Sequence, residues 1–269
     1  MNSELVDVVA ALTDGAFGAY LDFACLTGSA VDRADPDADV DVIAVLKVAT
    51  PPDEAVRMRL DFSAEYGRLH YRLGRRPDLE WPGEVAFASD VVSARTGAAF
   101  QRGRPSGIEP APLDTPWRYW ISMVASGFPV SGFERHADEA GLCSQAIVRQ
   151  QLSSKLPLGG SISLSEFLAA ESWWKQWRLP TGSSLRGRYV VANVTHALAA
   201  LSATREVSIR DGVIAVDSRG VRRWEESLRP PVEPPFLDGF QPQYCIAAVR
   251  AHDEIIESEG TDEDSHRPS

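Results

Sequence analysis

Leu26-Thr27-Gly28-Ser29 and, after nine residues, Asp39-Val40-Asp41-Val42-Ile43 are joined by a segment rich in turn residues. Phe23-Ala24-Cys25-Leu26 precedes the first motif, and Val42-Ile43-Ala44-Val45-Leu46 runs on from the second. Each apolar run has strand length, with Pro36 and several Asp residues marking the turn between them. Residues two apart on a strand share a face, so Asp39 and Asp41 present two carboxylates side by side. Such a pair repels unless a cation lies between its members. Mg²⁺, which takes one or two carboxylates together with phosphate oxygens, is the expected cation. Gly28 lets backbone approach those phosphates, and Ser29 offers a hydroxyl and an N–H to them. The competing reading is a hairpin whose alternating Asp35, Asp37, Asp39 and Asp41 form a solvated acidic turn. The apolar run directly after Asp41 favours a buried strand and hence the cation site.

This arrangement resembles the nucleotidyltransferase superfamily, which includes DNA polymerase beta, the antibiotic nucleotidyltransferases and the minimal nucleotidyltransferases. The resemblance rests on Leu26-Thr27-Gly28-Ser29 and on Asp39-Val40-Asp41-Val42, and it covers about the first third of the chain. It implies an α/β protein of mixed α+β character: a small nucleotidyltransferase-like mixed sheet with packed helices, then a mostly helical C-terminal domain. It also implies a third carboxylate on a later strand. The candidates are Asp78, Glu80 and Glu84, and Asp78 is preferred as the first acid entering the segment that continues as Val85-Ala86-Phe87. A turn at Trp81-Pro82-Gly83 carrying exposed acids is the alternative for these residues. The resemblance therefore expects Asp39, Asp41 and Asp78 as catalytic metal ligands, with Gly28, Ser29 and Arg72 on the triphosphate. The third acid would complete the metal site or accept the proton of an attacking hydroxyl.

Ser3 to Leu12 reads as a first helix with Ser3 as its cap. A second helix starts at Pro51-Pro52-Asp53, where Met58, Phe62, Tyr66, Leu69 and Leu73 form one buried stripe. Most of the arginines between them are expected to be solvated. The cluster Arg72, Arg75 and Arg76 runs into the acids at 78 and 80 and would offset triphosphate charge. Residues 101–116 are rich in Pro and Gly and read as a boundary. Beyond them 117–127, 134–154, 163–178 and 185–203 read as helices, and 212–216 as a short strand. Ser163 or Ser165 would cap the third of these, with Glu166 placed for a capping box. The expected divisions are 1–105 for the catalytic domain, 116–250 for a helical acceptor-binding domain and 252–269 for an acidic, disordered tail. The cleft between the two domains is the expected binding site. Trp173 and Trp177, four apart, read as a helix stripe; His136 and His196 read as structural or surface residues; Arg186 and Arg188 start a solvated helix.

Net charge is −11, and residues 252–269 hold seven acids and one arginine, or −6, leaving −5 on the body. A nucleic-acid binder normally shows a basic face, so nucleic acid is not the expected partner. No apolar run reaches the roughly eighteen residues a membrane span needs. Cys25, Cys143 and Cys245 are odd in number and far apart, which suits neither a disulfide framework nor a zinc site. With no basic-then-apolar leader at Met1-Asn2-Ser3-Glu4, the expected location is cytoplasmic. The expected reaction is transfer of a nucleoside monophosphate from a nucleoside triphosphate, ATP for choice, to a hydroxyl of a small-molecule acceptor. The alternatives are a toxin or regulator acting on tRNA or protein, and a degenerate protein that only binds nucleotide.

Overall fold

The computed structural model describes residues 3–15, 17–28, 40–47, 52–75, 84–87, 116–156, 160–169, 185–217, 247 and 249–255. The protein mixes helix and strand and divides into two compact units. The first comprises Met1–Ala88, Phe128–His136 and Phe236–Ser269; the second comprises Ser89–Gly127 and Ala137–Pro235. Among the described residues no helix is long and apolar enough to cross a membrane.

The first unit is built on a four-stranded sheet in the order β3-β2-β1-β4. Strands β1 (Leu21–Thr27) and β2 (Asp41–Leu46) pair antiparallel, from Leu21↔Leu46 to Thr27↔Asp41. Helix α1 (Ser3–Gly15) precedes them. Helix α2 (Pro52–Arg72) follows and returns the chain so that β3 (Glu84–Phe87) lies parallel to β2. Pro52 suits the first helical position because its missing N–H would have no helical acceptor there. Alternation along β2 sends Val40, Val42, Ala44 and Leu46 into one core. There they meet Leu5, Val9 and Leu12 of α1 and Met58, Phe62, Tyr66 and Leu69 of α2. Phe17 adds an edge-to-face contact with Phe62 at 5.4 Å between ring centroids. Asp41, Ile43 and Val45 belong to the other face of the strand, opposite this core.

Beyond the expected boundary at residue 105, β4 (Phe128–Ser131) joins the first sheet and pairs antiparallel with β1. Pro129 is tolerated because β4 is an edge strand, where a missing N–H costs no ladder bond on the open side. Gly132 follows at φ +62°, and a Cβ there would lie 2.3 Å from the Asp22 carbonyl oxygen. Only glycine lets the chain turn so close to β1. Helix α3 (Pro116–Ser126) precedes β4, and α4 (Phe133–Lys155) follows Gly132. At the start of α4, Arg135 grips Asp22 of β1 through two nitrogens, and the His136 ring meets Phe23 edge-on at 5.5 Å.

The expected tail from residue 256 onward lies outside the described residues, while 249–255 are helical and His252 is buried. Its Nε2 lies 3.1 Å from the Arg75 carbonyl oxygen, and its ring packs edge-on against Tyr71. Among the α2 arginines, most of which are expected in solvent, Arg59 is half-buried and donates from Nε to the Val85 carbonyl at 2.8 Å, tying α2 to β3.

In the second unit a three-stranded antiparallel sheet has the order β5-β7-β6, from β5 (Ser161–Ser163), β6 (Val207–Arg210) and β7 (Val213–Val216). Helix α5 (Leu164–Ala169) is capped by Ser163, whose Oγ accepts from the Glu166 N–H at 3.1 Å. Helix α6 (Leu185–Ala203) buries Val194, Leu198 and Leu201. Asn193 donates to the Ala125 carbonyl of α3 at 3.1 Å. Arg149 meets Glu206 through two nitrogens at 2.9 and 3.1 Å, and Thr204 donates to the same carboxylate. The helix expected over 163–178 is seen as far as Ala169, and its remainder lies outside the described residues.

Candidate functional site

The antiparallel β1–β2 ladder ends at Thr27↔Asp41, so the Thr-Gly-Ser and Asp-x-Asp motifs come together at one end of the sheet. Gly28 follows Thr27 at φ +70°. A Cβ at Gly28 would fall 1.8 Å from Asp41 Oδ2 and 2.8 Å from its Cγ, so the carboxylate lies over the bare Cα. Any larger residue would both occupy a left-handed backbone position and displace the carboxylate. Asp41 is 6 % exposed in a strand of otherwise apolar residues. Burying a carboxylate costs free energy unless charge or hydrogen bonds compensate it.

Directly across the ladder, Thr27 is 1 % exposed and its Oγ1 has no hydrogen-bond partner among the described residues. A buried carboxylate beside a hydroxyl with spare capacity is a hard-oxygen donor set of the kind Mg²⁺ takes. Asp41 and Thr27 thus supply two oxygens of the type that ion takes. Asp39, Ser29, Asp78 and Glu80 lie outside the described residues. Among the described residues no group of three His, Cys, Asp or Glu side chains is placed to hold a metal. Of the three acids considered for the third position, Glu84 has its backbone described, aligned with Ile43 across the parallel β2–β3 pair.

Helix α2 bears on this end of the sheet as well. Tyr66 is fully buried and its hydroxyl donates to the Val40 carbonyl, which brings the C-terminal half of α2 back to the Asp41 end of β2. Arg72 stands in the last turn of that helix and is exposed. The structure thus brings Gly28 and Asp41 together, while Arg72 stands in the last turn of α2, whose apolar stripe packs on the sheet face opposite Asp41. Reading the apolar stripe of α2 takes Tyr66 as packing alone and misses its hydroxyl. The available signal is the residue type, since a buried tyrosine needs an acceptor that phenylalanine would not.

His136 is buried against Phe23, and His196 is exposed on α6. Arg186 and Arg188 fall in the first turn of α6, while Trp173, Trp177 and Arg76 lie outside the described residues. Cys25 is fully buried on β1, and burial pushes its thiol up to about 12, which removes it as a nucleophile near neutrality. No protein-family model, curated protein or solved structure matches this chain.

Proposed function

We propose that the chain is a Mg²⁺-dependent nucleotidyltransferase that moves a nucleoside monophosphate from a nucleoside triphosphate, ATP for choice, to the hydroxyl of a small molecule. The observation that carries this reading is the Asp41 carboxylate lying over the Cα of Gly28 where β1 and β2 end. The order helix, antiparallel strand pair, returning helix, parallel third strand supports a nucleotidyltransferase-like core. The proposed location is the cytoplasm.

Asp41, with Asp39 two residues before it, holds the ion, and Asp78 completes the site or accepts the acceptor's proton. When bound, Mg²⁺ offsets charge on the attacking and leaving oxygens. Gly28 leaves backbone open to the β and γ phosphates, Ser29 bonds to them, and Arg72 supplies positive charge. The acceptor oxygen attacks the α-phosphorus, the bond to pyrophosphate breaks, and the acceptor proton passes to a carboxylate or to water. Positioning and charge stabilisation supply most of the rate, as in phosphoryl transfer generally. A small acceptor agrees with the charge: 27 basic residues stand against 38 acids, whereas a long polyanion needs several Lys or Arg contacts.

The test incubates the protein and Mg²⁺ with each α-labelled triphosphate, against a panel of small hydroxyl compounds and against total tRNA. Label is expected in the small-molecule fraction, with pyrophosphate released, and Asp41→Asn is expected to lower transfer by at least about a hundredfold. Full activity in Asp41→Asn sinks the assignment. Label in tRNA alone replaces the small acceptor with tRNA.

A further inference from the structure

We infer that Tyr66 is a positioning residue for Asp41, acting through the peptide that joins Val40 to Asp41. The inference rests on the reading of Asp41 as a metal ligand given above. The hydroxyl of Tyr66 donates to the Val40 carbonyl oxygen, and that carbonyl belongs to the peptide leading into Asp41. Paired residues of β1 and β2 end at Thr27↔Asp41, so Val40 stands one residue beyond the last pair. The Tyr66 hydroxyl adds a restraint from outside the ladder on the peptide that enters the strand at Asp41. By fixing the Val40–Asp41 peptide plane it limits ψ of Val40 and φ of Asp41, and those angles aim the Asp41 Cα–Cβ bond.

The ring is itself held firmly. Tyr66 is fully buried among Phe62, Leu69 and Val42, and its ring packs on His70 with centroids 4.2 Å apart. His70 Nδ1 in turn lies 2.9 Å from the Tyr66 carbonyl oxygen. Phenylalanine would fill this volume equally well, so packing alone leaves the hydroxyl unexplained. Groups that orient a metal ligand without touching the ion are worth about ten- to a hundredfold in metal affinity or activity.

The test uses the full chain with Mn²⁺ as probe, counting free ion by electron paramagnetic resonance. Melting temperature of the metal-free protein and the Mg²⁺ dependence of transfer are measured alongside. Tyr66→Phe is expected to fold, to melt only a few degrees lower, and to bind Mn²⁺ about tenfold more weakly at a temperature far below melting. Replacing Tyr66 by 4-aminophenylalanine, which keeps the ring and restores an N–H donor, is expected to recover Mn²⁺ affinity. A lowered melting temperature with unchanged Mn²⁺ affinity overturns the inference, because packing or a generic buried hydrogen bond explains it. So does a Tyr66→Phe chain that does not fold, since the hydroxyl is then a requirement of the fold itself. Asp41→Asn separates the two claims. Wild-type Mn²⁺ affinity in Asp41→Asn removes the metal reading and this inference with it. Loss in Asp41→Asn without loss in Tyr66→Phe removes the positioning role alone.

Discussion

Gly28 and Cys25 lie three residues apart on one strand and its exit, and chemistry constrains each through its surroundings. At Gly28 both the left-handed φ of +70° and the carboxylate 1.8 Å from a would-be Cβ oppose any side chain. Gly28→Ala is therefore expected to cost about 1–3 kcal/mol of stability. Transfer should fall further than stability does, because Asp41 must move to admit the methyl group. Chemical denaturation together with the transfer assay checks this; unchanged values in both would show that the close approach is not needed. Cys25 gives a pH signature. Its thiol is pushed from 9.0 up to about 12 by burial, whereas the unfolded chain ionises it near the lower value. Between those values the folded chain holds a proton that the unfolded chain has lost, so stability falls as pH rises. The slope is about 1.4 kcal/mol per pH unit. The stability difference between wild type and Cys25→Ala should hold steady below pH 9.0 and shrink above it. A difference that stays constant up to about pH 10.5 would place Cys25 in water.

Among the elements, β1, β2 and α2 were legible because each repeats a simple period over enough residues. Val42-Ile43-Ala44-Val45-Leu46 is a buried run, and the stripe from Met58 to Leu69 steps at helical spacing. Strand β4 has four residues, one of them Pro129, and no period can be read from so short a piece. Its strand character comes from pairing with β1, more than a hundred residues earlier, which no local pattern records. The same holds for β5 and β6, which gain their partner in β7. Within the site, the Gly28–Asp41 contact follows from two motifs at the ends of paired strands. The Tyr66 bond to Val40 does not, because periodicity records apolarity and is silent about a hydroxyl. Charge pairing is equally hidden. Arg149 and Glu206 stand 57 residues apart yet form a bidentate pair, with side chains 22 % and 10 % exposed. Removing one partner strands a mostly buried charge, so Arg149→Ala is expected to cost about 2–4 kcal/mol. Arg149→Ala combined with Glu206→Ala should cost less than the sum of the two single changes. A double-mutant cycle by urea unfolding checks this; strict additivity would mean that the pair contributes no coupling.

At the scale of the whole molecule, the first unit is assembled from three separate stretches of chain, Met1–Ala88, Phe128–His136 and Phe236–Ser269. The Thr-Gly-Ser and Asp-x-Asp motifs lie in the first stretch, but the packing around them does not. The second stretch adds β4 beside β1, places Val130 in the same core as Leu26 and Val42, and sets His136 against Phe23. The third adds helical residues 249–255, where His252 packs on Tyr71 and on the Arg75 carbonyl at the end of α2. A fragment ending at residue 105 would therefore leave one edge of β1 without its partner strand. It would also uncover Phe23 and expose the end of α2. An unpaired sheet edge next to exposed apolar side chains is a template for association. The expectation is that fragment 1–105 melts without a cooperative transition and associates as its concentration rises, whereas the full chain melts sharply. A chain ending at residue 248 keeps β4 and loses the helical residues 249–255, with buried Ala251 and the His252 contacts, so it should melt cooperatively with about 1–3 kcal/mol less stability. Calorimetry and sedimentation of the three chains decide the matter. A sharp, concentration-independent transition in fragment 1–105 would show that the first stretch folds alone, and that β4 and the C-terminal helical residues are additions to an already complete unit.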